Sequence, residues 1–147
     1  MANANTSDVA SKRIRVVLAD DNYAFRQGLN VLLSFEKDIE VVGVAKNERQ
    51  TIEMAREHLP DAVVMDLSMG HVSGIDVIRT LVKELPNTKI LVLSGHSEQN
   101  LIDSALASGA SRYLSKADSL HEVVLCLRET VHGVVSRAYD LSRKSDI

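Results

Sequence analysis

Ile14-Arg-Val-Val-Leu-Ala19 is a short apolar run that ends abruptly in Asp20 and Asp21, and Ala62-Val-Val-Met65 ends the same way in Asp66. Two further runs follow the pattern. Lys89-Ile-Leu-Val-Leu93 leads into Ser94, and Arg112-Tyr-Leu-Ser115 leads into Lys116. Runs this short, with helical periodicity between them, read as parallel strands buried on both faces. In such sheets ligands bind just beyond the carboxyl ends of the strands. The pattern therefore predicts three carboxylates, a hydroxyl and an ammonium gathered in one place.

The intervening segments carry helix signals. Ile39-Glu-Val-Val-Gly-Val-Ala45 supplies the remaining strand, second in chain order. Asn22 predicts the cap of a helix whose apolar side is Phe25, Leu29, Leu32 and Leu33. Asn47, with Gln50 three residues on, opens a second helix that buries Ile52, Ala55 and Leu59 before Pro60 stops it. Ser73 caps a third, with Val77, Ile78, Leu81, Val82 and Leu85, closed by Pro86. A fourth is expected to begin at Ser97, carrying Leu101, Ile102, Ala105 and Leu106, and to end at a left-handed Gly109. Ser119-Leu-His-Glu122 is a capping box for a fifth, which carries Leu120, Val123, Val124, Leu127 and Val131. Five strand–helix alternations mean a parallel sheet with helices on both faces.

At 147 residues and 45% hydrophobic, the chain suffices for one core and is too short for two ordinary domains. A net charge of -3 gives no electrostatic reason to expect general nucleic-acid binding. The single cysteine, Cys126, excludes an intramolecular disulfide and reads as a buried, inert thiol suited to a reducing compartment. The small, polar N-terminal stretch lacks the apolar centre of a signal peptide, and no apolar stretch approaches membrane-spanning length. A cytoplasmic protein is the expectation.

If the first and third strands are neighbours, Asp21 and Asp66 face one crevice with Asp20 beside them. Two carboxylates ~5 Å apart at an effective dielectric of ~20 repel by about 3 kcal/mol. They need a cation or a raised pKa. An all-oxygen donor set, with no histidine or cysteine spaced for chelation, favours a hard ion, and Mg²⁺ is the obvious one. Lys116 and Ser94 then fit as counter-ion and hydrogen-bond donor to a phosphoryl group. Asp66, on the central strand, is the natural nucleophile for an acyl phosphate. Any one of these residues alone reads as a capping or turn residue. Four strand ends agreeing on one chemistry do not.

Val17-Leu-Ala-Asp-Asp-Asn22, Val64-Met-Asp-Leu-Ser-Met69, Val92-Leu-Ser-Gly95 and Gly109-Ala-Ser-Arg-Tyr-Leu-Ser-Lys116 together resemble the bacterial response-regulator receiver domain, over residues 14 to about 133. Arg26-Gln-Gly-Leu29 and Asp38-Ile-Glu-Val-Val-Gly43 look most like receivers of LuxR/NarL-type transcriptional regulators. The resemblance implies a flavodoxin-like (CheY-like), doubly wound five-stranded sheet in the order 2-1-3-4-5 with five helices. The receiver is expected over 13–135, and composition alone predicts a small, polar, disordered tail (1–12) before it and a polar helix end or linker start (136–147) after it. The resemblance also implies a phosphorelay switch, not an enzyme acting on other molecules, in which a sensor histidine kinase passes a phosphoryl group to Asp66. Asp21 and Asp66 would bind Mg²⁺ directly with the Ser68 backbone carbonyl, and Asp20 mainly through water. Lys116 and Ser94 would hold the phosphoryl oxygens. Tyr113 would be the switch aromatic, turning inward as Ser94 moves toward the phosphate and reshaping the face made by the fourth helix, fifth strand and fifth helix. Homodimerisation on phosphorylation is a further implication, and DNA would be reached only through a helix-turn-helix domain that does not follow here.

Three departures from the family pattern stand out. Gly70 replaces the usual proline after Met69, which loosens that loop and costs on the order of 0.4–1 kcal/mol through the unfolded state. Lys116-Ala-Asp118 lacks the proline that many receivers place after this lysine. Without a following DNA-binding domain, the chain reads as a stand-alone receiver or a piece of a longer regulator. His71 and His96 border the crevice, where they could touch the phosphoryl group or its attacking water, and the favoured reading is a solvated loop residue; His58, His121 and His132 read as helix-surface residues. An aspartate-nucleophile phosphatase would need an acid two residues after Asp66, where Ser68 stands. A nucleotide-binding domain would need a Gly-rich loop where Asp20-Asp21-Asn22 stands. A receiver-like module that signals without phosphorylation fits poorly with five chemically competent positions.

Overall fold

The most apolar runs take the centre of the sheet. The computed structural model describes residues 12–69, 73–118 and 120–133. Its strands are β1 (Ile14–Ala19), β2 (Ile39–Ala45), β3 (Ala62–Met65), β4 (Lys89–Ser94) and β5 (Arg112–Ser115). All pair in parallel, in the order β2-β1-β3-β4-β5. Every β3 side chain is buried, as is every β4 side chain after Lys89. Burial on both faces removes the polar alternation of a half-exposed strand.

Five helices lie among the described residues: α1 (Tyr23–Ser34), α2 (Glu48–His58), α3 (Gly74–Glu84), α4 (Gln99–Ala107) and α5 (Leu120–His132). Val17, Val63, Met65 and Val92 face Ala55, Ile78, Leu81 and Ala105, so α2, α3 and α4 cover one side. Leu18, Val64, Leu91 and Leu93 face Leu29, Leu33, Val124 and Leu127, so α1 and α5 cover the other. Cys126 belongs to this second core and is buried.

The expected caps at Asn22, Asn47 and Ser73 accept backbone N–H groups of Phe25, Gln50 and Ile75, at 3.0, 2.8 and 3.2 Å. The Gln50 carboxamide returns to Lys46 N at 3.0 Å, tying off the α2 entry. Gly109, at φ +116°, takes the left-handed position after α4, where an added Cβ would also lie 2.5 Å from Val82.

Two local expectations need correction. Leu59 is not a core residue: it is 62% exposed. α2 ends at His58, and Leu59 adopts left-handed dihedrals (φ 47°) that turn it outward. Arg15 Nη1 satisfies the exposed His58 and Leu59 carbonyls at 2.7 and 3.3 Å. The fourth helix begins at Gln99 with Glu98 as its cap, not at Ser97. The Glu98 carbonyl accepts both Leu101 N and Ile102 N, so the first turn is built on its backbone without a side-chain cap. The tail over 1–11, Gly70, His71, the Ser119 cap and segment 136–147 lie outside the described residues.

Candidate functional site

The sheet ladder continues one residue past three strands and so sets the level of the site. Asp20 N donates to Ala45 O, Asp66 N to Ala19 O and Lys116 N to Ser94 O, at 3.1, 3.0 and 2.8 Å. These bonds hold the backbones of three functional residues in continuation of the sheet ladder. Asp20 and Asp66 are buried while Asp21 is exposed, and their carboxylates offer oxygens that all lie within 4.8 Å of one another.

Each buried acid is held on one oxygen. Asn22 N donates to Asp20 Oδ1 at 2.8 Å, and Ser68 N to Asp66 Oδ1 at 3.1 Å. Lys116 Nζ spans the other two oxygens, 2.7 Å from Asp20 Oδ2 and 2.8 Å from Asp66 Oδ2. The second contact is an aligned hydrogen bond; the first is an ion pair only, which leaves the buried Asp20 Oδ2 without a hydrogen bond. A buried carboxylate oxygen lacking a donor, in a cluster of three acids served by one ammonium, suits a hard cation. Burial alone would push the Lys116 pKa down, but the carboxylates of Asp20 and Asp66 beside it outweigh that, and the ammonium is held above its ordinary value.

The turn that carries Lys116 is braced without the missing proline. Asp118 Oδ2 accepts Ser115 N at 3.2 Å, Ser115 Oγ accepts Ala117 N at 3.1 Å, and Asp118 N closes onto Ser115 O at 3.0 Å.

Ser94 is fully buried at the end of β4, where its Oγ accepts His96 N at 3.1 Å. Tyr113 is also buried, and its hydroxyl donates to His96 O at 2.7 Å. The ring lies inward, its polar tip satisfied by the β4–α4 connection and its body in the first core. Burial raises the Tyr113 pKa, with the Ser94 hydroxyl opposing and the charges of Glu98 and Asp66 adding to it. The His96 imidazole is exposed, 3.7 Å from the Glu98 carboxylate. What this residue lends the site is its backbone.

Residues 16–128 match the response regulator receiver domain family. The chain belongs to this family. Among relatives, the receiver is 35% identical over 119 residues to the transcriptional regulatory protein DegU of Brevibacillus brevis, covering 79% of this chain and 50% of DegU. It is 36% identical over 120 residues to the response regulator protein VraR of Staphylococcus saprophyticus, covering 82% of this chain and 57% of VraR. The chain thus spans about half the length of the curated relatives it matches. The receiver domain of the putative response regulator NarL from Mycobacterium tuberculosis superimposes with a TM-score of 0.79 at 32% identity, covering 83% of this chain and 98% of that one.

Two participants were not assigned to the site from sequence. Asn22 read only as a helix cap and Phe25 only as core, yet Asn22 holds Asp20 and the Phe25 ring centre lies 4.5 Å from Lys116 Nζ. The only available signal was their spacing from the acid pair.

Proposed function

We propose that the receiver, spanning 13–135, is a phosphoacceptor switch of a two-component system and that Asp66 takes the phosphoryl group. What supports this above all is a buried aspartate at the end of a central strand, with an ammonium 2.8 Å away and two more carboxylates alongside. A carboxylate oxygen of Asp66 attacks phosphorus, the bond from phosphorus to the kinase imidazole breaks, and the imidazole leaves with the electron pair. Lys116 passes from the Asp66 carboxylate to the phosphoryl oxygens, and the Ser94 hydroxyl turns from its loop contact to donate to them.

Asp21, Asp66 and the Ser68 backbone carbonyl would hold Mg²⁺, with Asp20 acting through water; bound there, the ion supplies positive charge against the developing phosphoryl charge. The chemistry is confined to the chain's own phosphorylation and dephosphorylation. The output we infer is transcriptional, through a helix-turn-helix domain of the full regulator, with homodimerisation on phosphorylation. No helix among the described residues is long and apolar enough to cross a membrane, and we place the protein in the cytoplasm.

Treatment with acetyl phosphate and Mg²⁺, followed by mass spectrometry, should give one acid-labile adduct, absent from Asp66→Asn. An adduct that persists in that variant overturns the assignment.

A further inference from the structure

A closed circuit of contacts surrounds the Lys116 ammonium. Asp20 Oδ1 accepts Asn22 N at 2.8 Å, and Asn22 Oδ1 accepts Phe25 N at 3.0 Å. The Phe25 ring faces Lys116 Nζ at 4.5 Å, and Lys116 returns to Asp20 Oδ2 at 2.7 Å. The same carboxylate that the ammonium neutralises thus fixes, through the helix cap, the aromatic face on which that ammonium rests. Phe25 also lines a small cavity together with Asp20, Arg26, Asp66 and Leu93, which places its ring beside two of the acids.

Lysine has a flexible four-carbon stem and three N–H donors. Only one of them has an aligned acceptor, Asp66 Oδ2. Without a further partner, a largely buried ammonium leaves donors desolvated, which favours other rotamers. A leucine at position 25 would fill much of the same space and meet the same core. It would offer no negative ring face.

We propose that Phe25 is the positioning residue for Lys116: its ring face holds the ammonium between Asp20 and Asp66, where it meets an incoming phosphoryl group. The consequence for rate rests on Asp66 being the phosphoacceptor. The contact itself does not. Phe25 touches no reacting atom and acts through Lys116.

The test uses the full 147-residue chain with Phe25→Leu, Phe25→Tyr and a ring-trifluorinated phenylalanine incorporated at position 25. The trifluoro ring keeps shape and burial but weakens the negative face. Two readouts are needed: the rate of adduct formation from acetyl phosphate with Mg²⁺, and the NMR shift of the Lys116 ε-methylene protons. Wild type and Phe25→Tyr should show these protons shifted upfield by the ring and react at similar rates. In Phe25→Leu the protons should return to the random-coil position. Its rate should fall on the order of threefold, the equivalent of about 0.7 kcal/mol. The trifluoro variant should keep its fold and lose rate in the same direction. Random-coil ε-protons in wild type, or rates indifferent to both leucine and fluorination, would overturn the proposal. If wild type forms no adduct, the phosphoacceptor reading fails, and the methylene shifts still decide the Phe25 contact.

Discussion

Asp20 and Asp21 are neighbours in the chain and opposites in environment. Asp20 is buried, accepts Asn22 N and lies against Lys116, whereas Asp21 is exposed and enters the cluster from solvent. Their substitutions should therefore part company. Asp20→Ala removes the partner of the part-buried Asn22 N–H and one neutralising charge of the largely buried Lys116, and should lower stability by about 1–3 kcal/mol. Asp21→Ala removes a solvated charge from an acidic cluster. The metal-free protein should melt unchanged or slightly higher, within about 1 kcal/mol of wild type, because water screens the relieved repulsion. The same change should abolish most of the Mg²⁺-induced rise in melting temperature, since a bound ligand stabilises only in proportion to its affinity. Melts with and without Mg²⁺ check both halves, and equal Mg²⁺ shifts in wild type and Asp21→Ala would rule out direct coordination. The residue types were enough to nominate all three acids. Which of them is buried depends on the tertiary cover from α1 and Lys116, and no local pattern carries that.

Between residues and fold, the decisive element is the β4–α4 connection, pinned at one residue from two sides: His96 N on Ser94 and His96 O on Tyr113. Phosphorylation can bias the Ser94–Tyr113 pair only by contacts that differ between its two arrangements, chiefly the one that Ser94 would gain. Ser94→Ala should still accept phosphate, more slowly, while amide shifts around Tyr113 and α4 respond weakly to beryllofluoride; a full wild-type response there would break the coupling. A second element is positioned by a missing side chain. A Cβ at Gly74 would lie 2.6 Å from the Leu67 Cα and carbonyl oxygen, backbone atoms that cannot swing aside. Gly74→Ala should thus cost at least about 1–3 kcal/mol, read as a lower urea midpoint with an unchanged slope. Four strands were legible to the residue and β4 to within one, because short, largely apolar runs between polar ends have few alternatives. The start of α4 was not, since its first turn rests on a backbone carbonyl that any residue supplies. Leu59 misled because helical periodicity says nothing of the left-handed residue that ends a helix.

At the scale of the whole molecule, one side chain ties α5 to the first third of the chain. Arg128 Nε and Nη2 donate to Asp38 Oδ2 and Oδ1, each at 2.8 Å, and Nη2 also reaches Glu36. Asp38 lies 90 positions away, in the turn between α1 and β2, so this clasp closes a loop that holds most of the sheet. Hydrogen bonding to Arg128 is the main reason the Asp38 pKa lies below its ordinary 3.8, with burial opposing. A carboxylate whose folded pKa is depressed adds stability that is complete above the unfolded value and is lost as pH falls through the folded one. The Asp38 side chain is 46% exposed, so solvent screening limits the contribution to about 1 kcal/mol despite the two-pronged geometry. Arg128→Gln should accordingly lose about 1 kcal/mol near neutral pH. The gap to wild type should stay constant down to roughly pH 4 and narrow below it as Asp38 takes up its proton in both proteins. Asp38→Asn should remove most of that pH dependence, and adding Arg128→Gln to it should cost much less than in the wild-type background. Urea titrations from pH 2.5 to 7 measure these gaps. A wild-type to Arg128→Gln difference that is the same at both ends of that range would mean that the clasp holds α5 by the packing of its aliphatic stem and not by charge.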